Sequence, residues 1–355
     1  MNYLTHAPIN FYFAKSPKTF VVEEIPLYEF SGNGEHLIIK VRKKNLSTSE
    51  MLNIFSKNLH IKRNEIGYAG LKDKNSLSIQ YISIHKKFEK QIANLNIENI
   101  KILDTTLHKN KLKLGHLCGN KFYICIKKVD NLNATKIQEI CNILSKNGMP
   151  NYFGKQRFGK NGDNFLEGKA ILEGKQKVRD KKIAQFLISA YQSHLFNLWL
   201  KNRIEFCKIL ESFPSHITNL YKIPQNQVKS LQKQPHFFKI LSGDVISTYP
   251  PSKLTFANED SANLFFLHNI TPMGILYGGK ILKAKDMAFD FERQFYDNLL
   301  EKEIGDRRPA WIFVENLQFN YKKEIAQGEF YFTLPKGSYG TIFLEILSNN
   351  NAIIE

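Results

Sequence analysis

The sequence predicts an α+β protein in which one domain is interrupted by a second, inserted domain. Alternating, β-branched stretches typical of strands occur near both ends of the 355-residue chain, before residue 130 and after residue 310. The composition changes between them, and a length of about 150 residues per domain favours two domains. Because the two ends resemble each other more than the middle, we expect one domain of residues 1–147 and 309–355 and an inserted domain of residues 148–308.

The composition is that of a globular protein. Hydrophobic residues make up 43% of the chain and aromatic residues 12%, which is enough apolar area for packed cores and excludes a disordered chain. No apolar run approaches the roughly 18 residues of a membrane span, and residues 1–19 lack the pattern of an export signal. The four cysteines occur singly, so we expect reduced, buried thiols in a soluble, cytoplasmic protein.

The excess of basic residues predicts a polyanionic partner. Lys+Arg number 50 against Asp+Glu 33, a formal charge of +17, and nucleic acid is a common partner of such chains. The densest basic stretch, between residues 86 and 128, holds ten lysines and three acids. Seven acids between residues 286 and 306 instead predict a region that does not face a polyanion.

The first domain should begin with two strands and a capped helix. Residues 20–22 read FVV, residues 31–34 form the turn cluster SGNG, and apolar and polar side chains alternate over residues 37–42. Residues 47–50 read STSE, the pattern of a capping box, and helical spacing follows up to Leu59.

Further strands are expected at residues 77–84 and in the basic stretch. Residues 111–117 and 121–129 each alternate like strands and are predicted to be joined by a turn at residues 118–120. Some of the lysines should therefore line one face of a sheet.

Two helices and a last group of strands complete the pattern. A stripe from Ile137 to Leu144 predicts a helix that stops at Gly148. The inserted domain should open with a long amphipathic helix around residues 183–198. Strands are expected at residues 311–319 and 329–334, followed by a short apolar helix.

Several familiar chemical patterns are missing. The glycine pairs at residues 32–34 and 159–162 lack the spacing of a phosphate-binding loop and predict ordinary turns. The ten histidines show no metal-ligand spacing, and no nucleophile elbow occurs.

The loop at residues 68–75, which reads YAGLKDKN, places one carboxylate between two lysines. Nearby cations favour the ionised form of Asp73, and an ionised, positioned carboxylate can act as a nucleophile or a proton acceptor. Taken alone, the same pattern also fits a solvated surface charge cluster.

Six ordered motifs resemble those of the tRNA pseudouridine synthase D (TruD) family over nearly the whole chain. Three are the most characteristic: AGLKDK at residues 69–74, NYFGKQRFG at 151–159 and LPKGSY at 334–339. The other three are FVVEE with GEH near the amino terminus, GNKF at 119–122 and AYQSHLFN at 190–197.

The resemblance implies a fold and an activity. It implies a pseudouridine synthase catalytic domain with a mixed, largely antiparallel sheet and an inserted α+β TRUD domain. The implied reaction converts a uridine of tRNA, at position 13 in the D arm, to pseudouridine without a cofactor or a metal. Asp73 is the implied catalytic residue, and attack on the sugar, attack on the base and abstraction of a sugar proton remain alternatives.

The resemblance also implies substrate contacts. A flipped uridine needs a pocket that stacks its face and reads its edge, and Phe20, Asn120 and Tyr339 match family positions that contact it. The residues alone also permit simpler interpretations: Phe20 as a core residue, Asn120 as a turn residue, and Tyr339 as a core aromatic at a helix start. Tyrosine stands at residue 339 where the family usually has phenylalanine.

The basic residues raise two open questions. The partner of the catalytic carboxylate is either Lys15 or absent from the matching position, where Ala14 stands. Lys72, Lys155 and Arg157 are candidate phosphate contacts, with interdomain packing as the alternative for the last two. A non-catalytic RNA-binding or ribosome-assembly protein is the main rival function, and a metal-dependent nuclease is weaker because no clustered carboxylates are seen.

Overall fold

The computed structural model describes residues 3–350. Ten α-helices and fourteen strands are found among the described residues. The strands are β1 (Phe20–Pro26), β2 (His36–Lys44), β3 (Gly67–Tyr68), β4 (Leu77–His85), β5 (Ile100–His108), β6 (Leu117–Lys127), β7 (Met149–Pro150), β8 (Val245–Thr248), β9 (Leu254–Phe256), β10 (Ile270–Leu276), β11 (Asp306–Pro309), β12 (Trp311–Ile312), β13 (Glu315–Lys322) and β14 (Gln327–Pro335). The helices are α1 (Thr48–Leu59), α2 (Glu89–Ala93), α3 (Asn131–Asn147), α4 (Asn164–Leu172), α5 (Lys181–Ser212), α6 (Pro214–Tyr221), α7 (Gln225–Gln232), α8 (Ser261–Phe266), α9 (Asp286–Glu292) and α10 (Gly340–Ser348).

The chain forms two compact units. The sheet unit comprises residues 7–145 and 314–340 with the chain from residue 347, and the helical unit comprises residues 146–313 and 341–346 with the chain up to residue 6. These limits rest on compactness alone, so the division into a catalytic and an inserted domain stays a prediction.

The sheet unit is built on an eight-stranded mixed sheet in the order β13-β14-β6-β1-β4-β2-β5, with β3 paired to β4. The pairing of β1 with β4 is parallel, and the remaining pairs of this sheet are antiparallel. The α+β class with a largely antiparallel sheet is therefore confirmed.

Helix α1 packs on the part of this sheet formed by β2 and β4. The Ser47 hydroxyl accepts from the Glu50 N–H at 3.1 Å, and the Glu50 carboxylate accepts from the Ser47 N–H at 2.7 Å, which confirms the predicted capping box. The helix buries Met51 and Phe55 against strand residues that include Ile39. The amphipathic spacing thus fixes which side of α1 meets the sheet.

The predicted hairpin in the basic stretch is wrong. Residues 111–116 are a loop rather than a strand, residues 117–120 lie inside β6, and β6 pairs with β1 and β14. Gly119 sits there because a Cβ would collide with the Leu334 carbonyl of β14, so the glycine permits close strand approach rather than a turn. The single strand expected at residues 311–319 is also divided, into β12 and β13.

Other predictions from the pattern are confirmed. Helix α3 ends at Asn147, directly before Gly148, which has a φ of +68°. Strand β14 and helix α10 follow in the expected places. Three of the four cysteines are buried, but Cys118 is exposed on β6, contrary to the expectation for all four.

The helical unit contains a four-stranded sheet in the order β11-β10-β8-β9 and the pair β7 with β12. Helix α5 begins at Asp180, whose carboxylate accepts from two N–H groups of the first turn. Its Ile188 and Tyr191 pack on Ile275 of β10 and on Tyr277, which directly follows β10. This packing explains the long apolar face seen in the sequence.

Part of the acidic run of residues 286–306 is used inside the helical unit. Glu292 is buried and forms an ion pair with Arg307. The Asp297 carboxylate accepts from the Tyr191 hydroxyl at 2.6 Å, and the Glu301 carboxylate accepts from the Tyr277 hydroxyl. These acids therefore stabilise the fold of their own unit.

Candidate active site

Asp73 lies in the loop between β3 and β4 of the sheet unit. The loop is fixed through its main chain: the Lys72 N–H donates to the Thr48 hydroxyl at 2.8 Å. The Asp73 carbonyl accepts from the Ser76 hydroxyl at 2.9 Å and from Lys43 Nζ at 3.1 Å. The backbone of Asp73 is therefore held independently of its carboxylate.

The Asp73 carboxylate forms an ion pair with Lys15. The aspartate side chain is 41% exposed and the lysine side chain 13%. Lys15 is placed by a tight turn before β1, in which the Thr19 hydroxyl donates to the Ala14 carbonyl at 2.6 Å. The sequence left open whether Lys15 or no basic residue pairs with Asp73, and the structure has Lys15 as the partner. No spacing pattern in the sequence links these two residues.

The two lysines that flank Asp73 in the sequence bind other carboxylates. Lys72 is buried and its Nζ lies 2.7 Å from Glu24 Oε2, while Lys74 Nζ lies 2.6 Å from Glu50 Oε1. Burial raises the pKa of the Glu24 carboxyl, and the Lys72 ammonium opposes this rise. The expectation that both flanking lysines act on Asp73 is corrected, because each is already paired.

Aromatic side chains form a platform next to this ion pair. Lys15 Nζ lies 4.4 Å from the centre of the Phe20 ring. The Phe20 and Phe122 ring centres are 6.0 Å apart, and Phe122 stacks on Phe332 at 5.3 Å. Phe20 is buried, as the core interpretation expects, and it also lies directly under the cation that binds Asp73.

Asn120 shares the Phe122 face of β6, since the two residues are two positions apart on one strand. It is only 8% exposed, and its Oδ1 has no hydrogen-bond partner. A buried carbonyl oxygen without a donor costs about 1–3 kcal/mol. Asn120 is therefore a strand residue with a free acceptor rather than a turn residue, and that acceptor is the feature a ligand donor would satisfy.

Tyr339 precedes α10 and is half-buried. Its neighbour Gly340 lies against the platform, because a Cβ at this position would come within 2.9 Å of the Phe122 ring and 3.4 Å of the Phe20 ring. The Ser338 hydroxyl on its other side is buried without a hydrogen-bond partner. The LPKGSY motif thus reaches the same platform as β1 and β6.

Lys155 and Arg157 lie on a 3-10 turn at Lys155–Phe158 of the helical unit. Arg157 Nε donates to the Ser193 hydroxyl at 3.0 Å and Nη2 to the Ser189 hydroxyl at 2.7 Å. These bonds to α5 fix the guanidinium group, and Lys155 is exposed.

A concavity of about 510 Å³ opens on the sheet unit beside the loop between β5 and β6. Its lining is aromatic and mostly basic: Tyr28, Glu29, His108, Asn110, Lys111, Lys113 and His116. The Gly115 N–H of this loop donates to the Ala69 carbonyl at 2.9 Å, which joins it to the Asp73 loop.

Sequence reasoning missed three residues of the site: Glu24, Lys43 and Phe122. Glu24 was detectable, because it lies four residues after Phe20 on β1 and therefore on the same face of the strand. Lys43 was not detectable because it contacts the carbonyl of a loop residue 30 positions away, and Phe122 because its role depends on ring contacts with Phe20 and Phe332.

The part of the chain that the structure describes shows neither a metal site nor a membrane-spanning helix. No group of three His, Cys, Asp or Glu side chains in residues 3–350 is arranged to hold a metal ion. No helix within that range is both long and apolar enough to cross a bilayer.

Comparisons with known proteins give a consistent result. The family model described as tRNA pseudouridine synthase D (TruD) matches residues 2–178. A tRNA pseudouridine synthase D of Nitratiruptor sp. is 49% identical over 98% of this chain and 97% of that protein, and one of Wolinella succinogenes is 48% identical over 99% of each. A crystal structure of a putative tRNA pseudouridine synthase D from Methanosarcina mazei matches with a TM-score of 0.69 at 20% identity, over 99% of this chain and 96% of that one. The last match supports the fold alone.

Proposed function

Because this chain belongs to the tRNA pseudouridine synthase D family, we propose that it converts uridine 13 in the D arm of tRNA to pseudouridine, with Asp73 as the catalytic residue. The reaction breaks the bond between sugar carbon 1′ and base N1, turns the uracil, and joins carbon 1′ to carbon 5. Carbon 5 loses a proton and N1 gains one. Atoms and electrons balance within the nucleotide, so the reaction is an isomerisation.

One observation carries this proposal: the Asp73 carboxylate is ion-paired to Lys15 above the Phe20 ring. The carboxylate is fixed by one cation and remains partly exposed, as a group that must contact substrate requires. Attack on sugar carbon 1′, attack on the uracil ring and abstraction of a sugar proton all use this carboxylate.

The neighbouring platform supports recognition of a flipped base. A uridine inside an RNA stack is out of reach of the enzyme's groups, so it must turn out into a pocket. Phe20 and Tyr339 supply aromatic rings at this pocket. The unpartnered Asn120 Oδ1 accepts from the imide N–H of uracil, a donor that this buried acceptor otherwise lacks.

We propose phosphate contacts for Lys155 and Arg157, supported by the exposure of Lys155 and the partial exposure of Arg157. Lys72 is left out of this set because its ammonium is buried on Glu24, where it stabilises the Asp73 loop. The proposed compartment is the cytoplasm, where tRNA is modified.

The test is release of tritium from carbon 5 of labelled uridine in tRNA. We expect the parent protein to release label and Asp73→Asn to release none, with tRNA affinity within a few-fold, because an amide keeps the shape but is a poor nucleophile and base. Asp104→Asn, on the exposed part of β5, is the matched control and should behave like the parent.

Two results would contradict the proposal. Label release by Asp73→Asn within tenfold of the parent rate removes Asp73 as the catalytic residue. Tight tRNA binding by the parent without label release from any tRNA of a panel would favour the rival, a non-catalytic RNA-binding protein of the same fold.

A further inference from the structure

A buried ammonium group lies under the Asp73 loop. Lys43 of β2 is 0% exposed, and its Nζ donates to the Leu46 carbonyl at 2.5 Å and to the Asp73 carbonyl at 3.1 Å. Its cross-strand neighbours, Ser78 on β4 and Ile100 on β5, carry no charge. Lys43 is therefore bound to the main chain of the residue proposed to carry the chemistry.

This ammonium has no carboxylate of its own. None of the ion pairs found among residues 3–350 includes Lys43. The two lysines of the loop differ, since Lys72 is paired with Glu24 and Lys74 with Glu50. A buried charge without an ion-pair partner is costly for the fold, so its presence needs a reason other than stability.

The charges around Lys43 point to Asp73. Burial lowers the pKa of Lys43 to about 8, and the Asp73 carboxylate is the strongest influence that opposes this fall. Lys72 of the same loop adds to the fall, and Glu50 of α1 opposes it. Of these charged groups Asp73 has the largest effect on Lys43, and Lys43 also donates to its carbonyl, so the coupling is strongest between Lys43 and Asp73.

We propose that Lys43 is a positioning residue for the isomerisation, holding the Asp73 main chain in place and supplying a buried positive charge near its carboxylate. The inference rests on the proposed function of Asp73. Lys43 donates to the carbonyl of Asp73 and Lys15 binds the carboxylate, so the loop is fixed while the reacting group stays accessible. A misplacement of about 1 Å in such a group can cost on the order of 100-fold in rate.

The first test compares Lys43→Met with Lys44→Met. Methionine keeps the length of the buried chain and removes the donor and the charge, and Lys44 is the exposed next residue of the same strand. Below pH 7 we expect the single-turnover rate of label release for Lys43→Met to fall by about 10- to 100-fold, with tRNA affinity within about threefold. Lys44→Met should stay within about twofold of the parent in both measurements.

The second test uses pH. Lys43 is charged below its pKa of about 8, so the parent rate should be highest there and should fall as the pH rises through 8 and the ammonium loses its proton. In Lys43→Met this alkaline fall should be missing, since no group titrates at that place. If Lys43 only held the loop in place and its charge had no effect, the alkaline fall of the rate would be the same in Lys43→Met as in the parent.

Each outcome decides the proposal. A Lys43→Met rate within threefold of the parent, a parallel loss of rate and affinity, or an alkaline fall that persists in the variant would overturn it. If circular dichroism shows that Lys43→Met does not fold, the parent profile decides, and a flat rate between pH 7 and 9 would overturn the inference. Failure of the parent to release label contradicts the proposed function instead, so the two failures are distinct.

Discussion

Lys15 and Asp73 are 58 residues apart in the chain, and their ion pair shows what single residues contribute to the candidate site. The lysine is held by the turn before β1 and the aspartate by hydrogen bonds to its own main chain. The main chain that carries each side chain is therefore fixed before the two meet, which lowers the conformational entropy lost on forming the pair. The site is preorganised by local structure.

Tyr339 permits a prediction at the same scale. If its ring stacks on the flipped uridine or its neighbour, Tyr339→Ala should cost roughly 1–3 kcal/mol per stacked base, whereas Tyr339→Phe should keep the parent rate and affinity. We expect this result because phenylalanine is the usual residue of the family at this position. Single-turnover rate and tRNA affinity of the two variants, measured side by side, are the readouts.

The comparison of these two variants is decisive. A Tyr339→Phe variant as impaired as Tyr339→Ala would show that the hydroxyl, rather than the ring, contributes to the transition state. Normal behaviour of Tyr339→Ala would remove Tyr339 from the site.

Sequence patterns predicted single residues of the site unevenly. Asp73 was chosen as the candidate catalytic residue because the motif around it resembles a family motif, since a carboxylate between two lysines alone also fits a surface charge cluster. The expectation that Lys72 and Lys74 act on the Asp73 carboxylate was wrong, since these lysines pair with Glu24 and Glu50. Adjacent positions in a loop do not fix where long side chains point, so this pairing needed the structure.

At the scale of elements, the capping box of α1 links helix stability to the site. Glu50 caps the helix and also binds Lys74 of the Asp73 loop, and its pKa is lowered to about 2 by Lys74 and by the bonds with Ser47. The same helix start presents the Thr48 hydroxyl to the loop. The start of α1 is therefore also a support of the loop.

We predict that Ser47→Ala destabilises the protein by about 1 kcal/mol, the usual cost of losing such a cap. Ser49→Ala, in the same first turn and outside the capping box, is the matched control and should change stability by less than about 0.5 kcal/mol. Urea unfolding followed by circular dichroism compares the two. Equal effects of both substitutions would show that the capping box contributes nothing beyond helix propensity.

Elements with a strong local pattern were predictable, and those decided by distant contacts were not. Helix α1 followed from its cap and spacing, whereas β6 was split wrongly because Gly119 and Asn120 resemble a turn. Their strand conformation is imposed by pairing with β1 and β14 on either side. Strand pairing outweighs the local turn preference of these residues, because hydrogen bonds to a strand on each side satisfy the backbone groups of the segment.

At the scale of the whole molecule, the charge of +17 should make tRNA binding strongly salt-dependent. Each phosphate contact contributes about 0.7 to 0.9 to the slope of log affinity against log salt concentration. We expect the double substitution of Lys155 and Arg157 by glutamine to lower that slope by about 1.4 to 1.8. Binding measured over a range of salt concentrations gives the slope.

A second pair of lysines makes this measurement discriminating. Lys109 and Lys113 are exposed near the basic concavity of the sheet unit, and their double substitution by glutamine is the comparison. An unchanged slope for the first pair with a lowered slope for the second would assign Lys155 and Arg157 to packing and place the contacts on the lysines between residues 86 and 128.

The pairing of β6 with β14 bears on how the chain is made. The two strands pair over nine residues, yet about 200 residues, including the four-stranded sheet and α5, separate them in the sequence. At a synthesis rate of about 5–20 residues per second, β6 spends roughly 10–40 s on the ribosome as an open sheet edge. Lys121 and Lys127 are exposed along β6, and charged side chains of this kind oppose pairing with a neighbouring nascent chain. The exposed lysines of β6 would therefore oppose pairing with another chain until the last strand, β14, is synthesised.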